Sequence, residues 1–136
     1  MSERGEINYS GRFKQLISFH GIKRHRNITP TDIDALIDYN GNAFIFFEGK
    51  HENKDLDFGQ KKAIENLVNG LSESGRPSCC FVFKHNSNVN DIVIAKDCLV
   101  TEIYFQGKWK CDIKKRTVLQ CIEDFEKYCV KIFITI

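Results

Sequence analysis

Apolar positions along this chain switch between two periods, and the switches divide it into elements. Between residues 8 and 22, Phe13, Leu16, Ile17 and Phe19 recur at largely helical spacing and Gly21 supplies a stop, which predicts a first helix. RNIT, residues 26 to 29, reads as a short extended segment leading into Pro30. DIDALIDY, residues 32 to 39, then alternates polar and apolar with period two. NAFIFFEGK follows an Asn-Gly turn signal, so the two runs predict a hairpin. Its second strand is almost wholly apolar, as expected of a strand covered on both faces.

Helical spacing returns from Leu56 to about Leu71, where Phe58, Ala63, Ile64, Leu67 and Leu71 share a broad face and Gly75 and Pro77 follow as terminators. CCFVFKH reads as another buried strand. DIVIAK and LVTEIYFQGKW read as two more, with a hairpin or bulge around Asp97. TVLQCIEDFEKYCVKIF predicts a closing helix, although its final IFITI fits a strand equally well. The order helix, hairpin, helix, strand, two strands, helix indicates an α/β fold with a mixed sheet flanked by helices.

Length and composition narrow the class. A chain of 136 residues fits a single domain over residues 1 to 136, with 28% charged and 42% hydrophobic positions typical of an ordinary soluble protein. Six cysteines sit mostly among apolar residues, and MSERGEINYS lacks the apolar core of a signal peptide, so a reduced, cytoplasmic setting is expected. No cysteine pair has the short spacing of a zinc site and the four histidines are dispersed, which argues against structural zinc. No apolar run is long enough to span a bilayer, so no membrane partner is expected. A net charge of +2 says little about partners. KRHR at 23 to 26, QKK at 60 to 62 and KWKCDIKKR at 108 to 116 nevertheless concentrate positive charge locally.

The charged residues of the hairpin carry the candidate chemistry. Residues two apart on a strand share a face, so Asp32 lies with Asp34 on one strand and Glu48 with Lys50 on the next. A three-residue loop at Asn40, Gly41 and Asn42 would set Asp34 opposite Glu48 and Asp32 opposite Lys50. A two-residue Asn40-Gly41 loop would pair Asp34 with Phe47 and split the acids between faces unless a bulge restored the register. Facing carboxylates repel unless a proton or cation intervenes, and hard oxygen ligands suit Mg²⁺ or Mn²⁺. Asp34, Glu48 and Lys50 would then form a minimal set for phosphodiester hydrolysis. The plain alternative is a salt bridge between Lys50 and Asp32 at a strand end.

The run from Asp34 through Glu48-Gly49-Lys50, on a predicted hairpin between two helices, resembles the signature of the PD-(D/E)XK nuclease superfamily. Within it, the chain is most similar to archaeal-type Holliday-junction resolvases and related phage nucleases, over roughly residues 8 to 85. The resemblance implies a restriction-endonuclease-like mixed sheet flanked by helices. It also implies metal binding by Asp34 and Glu48 with the Gly49 carbonyl, and Lys50 as the catalytic lysine. Gln60 matches a glutamine that begins the second helix and supports the site or contacts the scissile strand; otherwise it is an exposed first-turn residue. Pro30 stands four residues before Asp34 rather than adjacent, which makes Asp32 a substitute for Asp34 or a second acid beside it. The glutamate that many members carry on the first helix is missing, leaving Glu6, and the more distant Glu3, to complete the site.

In that setting Lys23, Arg24, Arg26, Lys61 and Lys62 become candidate phosphate contacts, which position DNA without reading its sequence. The expected function is a Mg²⁺- or Mn²⁺-dependent DNA endonuclease, structure-selective in the manner of a Holliday-junction resolvase. The resemblance further implies branched DNA, a homodimer cutting opposing strands, 5′-phosphate products and a role in DNA recombination and repair. The alternative is a noncatalytic nucleic-acid or protein-binding module that keeps the nuclease fold.

Overall fold

A computed structural model of the chain describes residues 16 to 136, which divide at Pro30 into two units, residues 16 to 30 and Thr31–Ile136. In the first, residues 8 to 15 of the expected helix lie outside the described residues. Residues 16 to 22 are not helical: the Ile22 N–H reaches the Phe19 carbonyl at 3.3 Å, and Gly21 takes the left-handed region at φ 90°. RNIT is likewise not simply extended. A 3₁₀ turn spans His25–Asn27, with Arg26 and Asn27 at positive φ, and the Arg24 N–H closes it on the Ile28 carbonyl at 2.7 Å.

The second unit is a five-stranded mixed sheet flanked by helices. Its strands are β1 (Ala35–Asp38), β2 (Phe44–His51), β3 (Ser78–His85), β4 (Leu99–Phe105) and β5 (Lys108–Lys110), in the spatial order β1-β2-β3-β4-β5. β2 and β3 are parallel and the other pairs antiparallel. The helix joining β2 to β3 is α1 (Phe58–Glu73), and α2 (Val118–Lys131) follows the sheet. Both begin with a reciprocal capping box, Asp57 with Gln60 and Thr117 with Gln120, which satisfies N–H groups that the first helical turn leaves unpaired.

The first hairpin has the three-residue loop. Ala35 faces Phe47 and Asp38 faces Phe44, and the Tyr39 N–H meets the Ala43 carbonyl at 3.0 Å, leaving Asn40, Gly41 and Asn42 to turn the chain. Asn40 and Gly41 adopt φ of 54° and 80°, conformations that Asn and Gly accept most readily. Asp38 caps this loop, its Oδ1 accepting the Gly41 N–H at 2.6 Å.

Three later expectations change. DIVIAK forms no strand; its end is a 3₁₀ turn, Ala95–Asp97. LVTEIYFQGKW is two strands, because Gln106 and Gly107 at φ 52° and 79° fold β5 back onto β4. IFITI is neither helix nor strand. α2 stops at Lys131, Phe133 turns left-handed, and the Ile134 N–H bonds to the Cys129 carbonyl at 2.9 Å.

Alternation along the strands sorts the core into two layers. Ile45, Phe47, Cys79, Phe81, Phe83 and Val100 pack with Val118, Cys121, Phe125 and Cys129 of α2. Phe46, Cys80, Val82 and Tyr104 pack on the opposite face with Leu56 and with Ile64 and Val68 of α1. All six cysteines are free, and among the described residues no helix is long and apolar enough to cross a membrane.

Candidate active site

The loop register has a direct chemical outcome. Continuing the β1–β2 pairing by one residue sets Asp34 across from Glu48, and hydrogen bonds lock the two segments there. The Asp34 N–H donates to Glu48 Oε1 at 3.3 Å, while the Gly49 N–H donates to Asp34 Oδ2 at 2.8 Å. Each acid is therefore held by the backbone of the other's segment. Asp32, one pleat further out, falls opposite Lys50 by the same register and is exposed.

Glu48 sits at the point where β2 leaves the core. Phe46, two residues earlier on the same face, is buried against the α1 layer, and Glu48 itself is only 2% exposed. Burial, and then the neighbouring Asp34 carboxylate, push its pKa up to about 7, against the opposing pull of the Asp34 N–H bond and of Lys50. A buried acid beside a second acid is an arrangement that a divalent cation would relieve. Asp34 and Glu48 thus fit a hard dication, and the Gly49 backbone joins them through its N–H. Among the described residues no three His, Cys, Asp or Glu side chains gather into a group able to hold a metal ion; Glu6 lies outside that region.

The glycine between Glu48 and Lys50 has a packing cause. It points to the opposite face of β2, where a Cβ would stand 2.7 Å from two ring carbons of Phe83. The aromatic layer under α2 thereby dictates a residue inside the charged motif.

Gln60 is buried rather than exposed, at 8%. Its Oε1 accepts from the Asp57 N–H at 3.4 Å, and its own N–H donates to Asp57 Oδ1 at 2.7 Å. Because α1 is the crossover between the parallel strands β2 and β3, its N-terminus lies at their C-terminal ends, toward Glu48 and Lys50. Gln60 fixes that end of the helix.

The basic candidates divide. Lys61 turns to the sheet, 4.0 Å from Glu102 Oε2 and 5.2 Å from the Trp109 ring centroid. Lys62 is exposed and pairs with Glu65 at 3.4 Å. Lys23, Arg24 and Arg26 are exposed residues of the first unit.

Strand pairing brings further residues to the site. Lys84 is the register partner of Lys50, and its Nζ donates to the Lys54 carbonyl and to Asp55 at 2.8 Å, tying down the chain between β2 and α1. Glu102 occupies the same sheet row as Glu48, with Val82 between them. Its Oε2 is buried without a hydrogen-bond partner. Burial pushes the Cys80 thiol on this face up to about 12, with the Glu48 and Glu102 carboxylates adding to the effect. A signal did exist: β2 and β3 both end in Lys-His, and parallel pairing in register brings the two copies side by side. Comparison with protein-family models, curated proteins and solved structures matched none of them to this chain.

Proposed function

We propose that this chain is a metal-dependent DNA endonuclease of the PD-(D/E)XK type, hydrolysing phosphodiester bonds with water as nucleophile. The observation that carries the reading is the Asp34–Glu48 pair, cross-held by the Asp34 and Gly49 amides with Lys50 on the same strand face as Glu48. Asp34 and Glu48 would hold Mg²⁺ or Mn²⁺, which supplies Lewis-acid stabilisation and a more acidic bound water. Glu48 would bind the ion as a carboxylate, its proton passing to solvent. The Lys50 ammonium would stabilise charge that develops on the phosphoryl oxygens as water, losing a proton to solvent, attacks phosphorus and the bond to the leaving oxygen breaks, that oxygen taking a proton from solvent. Gln60 supports the site by anchoring the first turn of α1.

Branched DNA is the proposed substrate, with a homodimer cutting opposing strands. The reading is tested by Mg²⁺- and Mn²⁺-dependent cleavage of a labelled four-way junction, with linear duplex and single strand alongside. Paired cuts in the junction are expected, and Glu48→Gln or Lys50→Ala should lower the rate by about 10²–10³-fold, the scale of losing one charge-stabilising group. Cutting by either variant at the wild-type rate would remove that residue from the mechanism.

A noncatalytic nucleic-acid or protein-binding module is favoured by one observation, that the run NYSGRFKQLISFHG carries no acid where the resemblance implies a glutamate. Calorimetry with Mg²⁺ and Mn²⁺, with and without uncleavable DNA, separates the two. No saturable metal binding in either condition would favour the module.

A further inference from the structure

On the face of the sheet opposite Glu48 and Lys50, the parallel pair β2–β3 ends in two histidines. His51 and His85 are register partners, their ring centroids 5.6 Å apart and their planes at 86°. His51 is exposed, whereas His85 is half-buried, with its Nδ1 out of solvent and without a hydrogen-bond partner. An imidazole nitrogen must either donate or accept, so a dry nitrogen with no partner carries a desolvation cost that no described residue offsets. Metal coordination would offset it.

Zinc sits about 2.0–2.1 Å from each ligating imidazole nitrogen, so two rings with centroids 5.6 Å apart can reach one ion once the exposed His51 ring turns a nitrogen toward His85. The backbone holds the pair in place. β2 and β3 are hydrogen-bonded neighbours, and the chain after β2 is pinned beside them by the Glu52 N–H to the His85 carbonyl at 2.9 Å. Continuing the β3–β4 register by one residue sets Cys98 across from His85, but its thiol contacts the Ile94 carbonyl at 3.5 Å. The preformed part is thus two imidazoles, one exposed and one half-buried.

We infer that His51 and His85 form a second metal site, open and two-imidazole, selective for a borderline dication such as Zn²⁺, Ni²⁺ or Cu²⁺. Imidazole suits these ions, whereas Mg²⁺ prefers oxygen, so this site and the carboxylate pair discriminate by ligand chemistry. Binding would staple the C-terminal ends of β2 and β3 together, one residue beyond Lys50 and Lys84. The inference stands independently of the nuclease reading.

The test is titration of the full chain with Zn²⁺ by calorimetry, with the imidazole ring signals followed by NMR. One saturable 1:1 site that shifts two histidine ring systems is expected, undiminished by excess Mg²⁺. His51→Ala, which truncates an exposed side chain, should weaken binding by at least the ~10–100-fold that even an outer-shell partner is worth. His85→Ala should do the same. Glu48→Gln and Cys111→Ser should bind as the wild type does, excluding the carboxylate pair and the exposed thiol. Wild-type affinity in His51→Ala, or no saturable Zn²⁺ binding by the wild type, would overturn the assignment.

Discussion

The two faces of the sheet use the same strands in different ways. Under α2, the inward positions of β2 and β3 remain apolar along most of their length, from Ile45 and Cys79 to Phe81 and Phe83. Under α1, the apolar layer stops partway. Phe46 gives way to Glu48 and Lys50, and Val82 to Lys84, as the strands run toward their C-terminal ends. Period-two alternation lets one strand serve both purposes: odd positions of β2 bury the sheet while even positions carry charge to its end. Strands with this much apolar content can therefore hold a buried acid, because the other face supplies the packing that secures it.

Breaking the apolar face should have the largest effect on stability. Phe81 is 3% exposed beneath α2, and Phe81→Ala should cost about 3–5 kcal/mol, measured by denaturant unfolding. The charged face should respond with the opposite sign. Folded Glu48 has a pKa near 7 against an ordinary 4.5, so between these values the folded protein retains a proton that the unfolded chain has released. The stability contributed by that proton is full below about pH 4.5 and is lost as pH rises through 7. In metal-free buffer, Glu48→Gln should therefore be more stable than wild type by about 2–3 kcal/mol at pH 8.5, with the difference vanishing near pH 4.5. A pH-independent difference would show that Glu48 is not held protonated by its surroundings.

The smallest of these effects joins the two faces. Gly49→Ala places a methyl group against the Phe83 ring and should cost about 1–3 kcal/mol. Phe83→Leu in the same chain should recover part of that loss relative to the sum of the single variants. Strict additivity in the double-mutant cycle would deny the contact.

Legibility differed sharply between elements. α1 and β3 were readable because long periodic runs leave few alternatives, and Leu56 to Leu71 missed the helix bounds Phe58–Glu73 by only two residues at each end. DIVIAK, apolar and β-branched, looked like a strand but has no sheet partner; its Val93 packs against the core from a loop instead. LVTEIYFQGKW hid a hairpin because Gln106 takes a left-handed φ that its identity does not advertise. From sequence, Gln60 reads as either a site residue or an exposed one. Its burial follows from the reciprocal cap with Asp57, for which the Asp-x-x-Gln spacing was the available signal.

By itself, the sequence determined which residues could share a face: the alternation of β2 put Glu48 with Lys50, and the helical period of α1 set its buried stripe. Those are local consequences of backbone geometry, independent of the rest of the chain. Only the tertiary structure decided the partners. The three-residue loop chose between two registers and brought Asp34 to Glu48, and parallel pairing of β2 with β3 set Lys84 beside Lys50 and His85 beside His51. Strand pairing joins residues far apart in sequence, and a shift of one residue reverses every face, so no local pattern could have specified those neighbours.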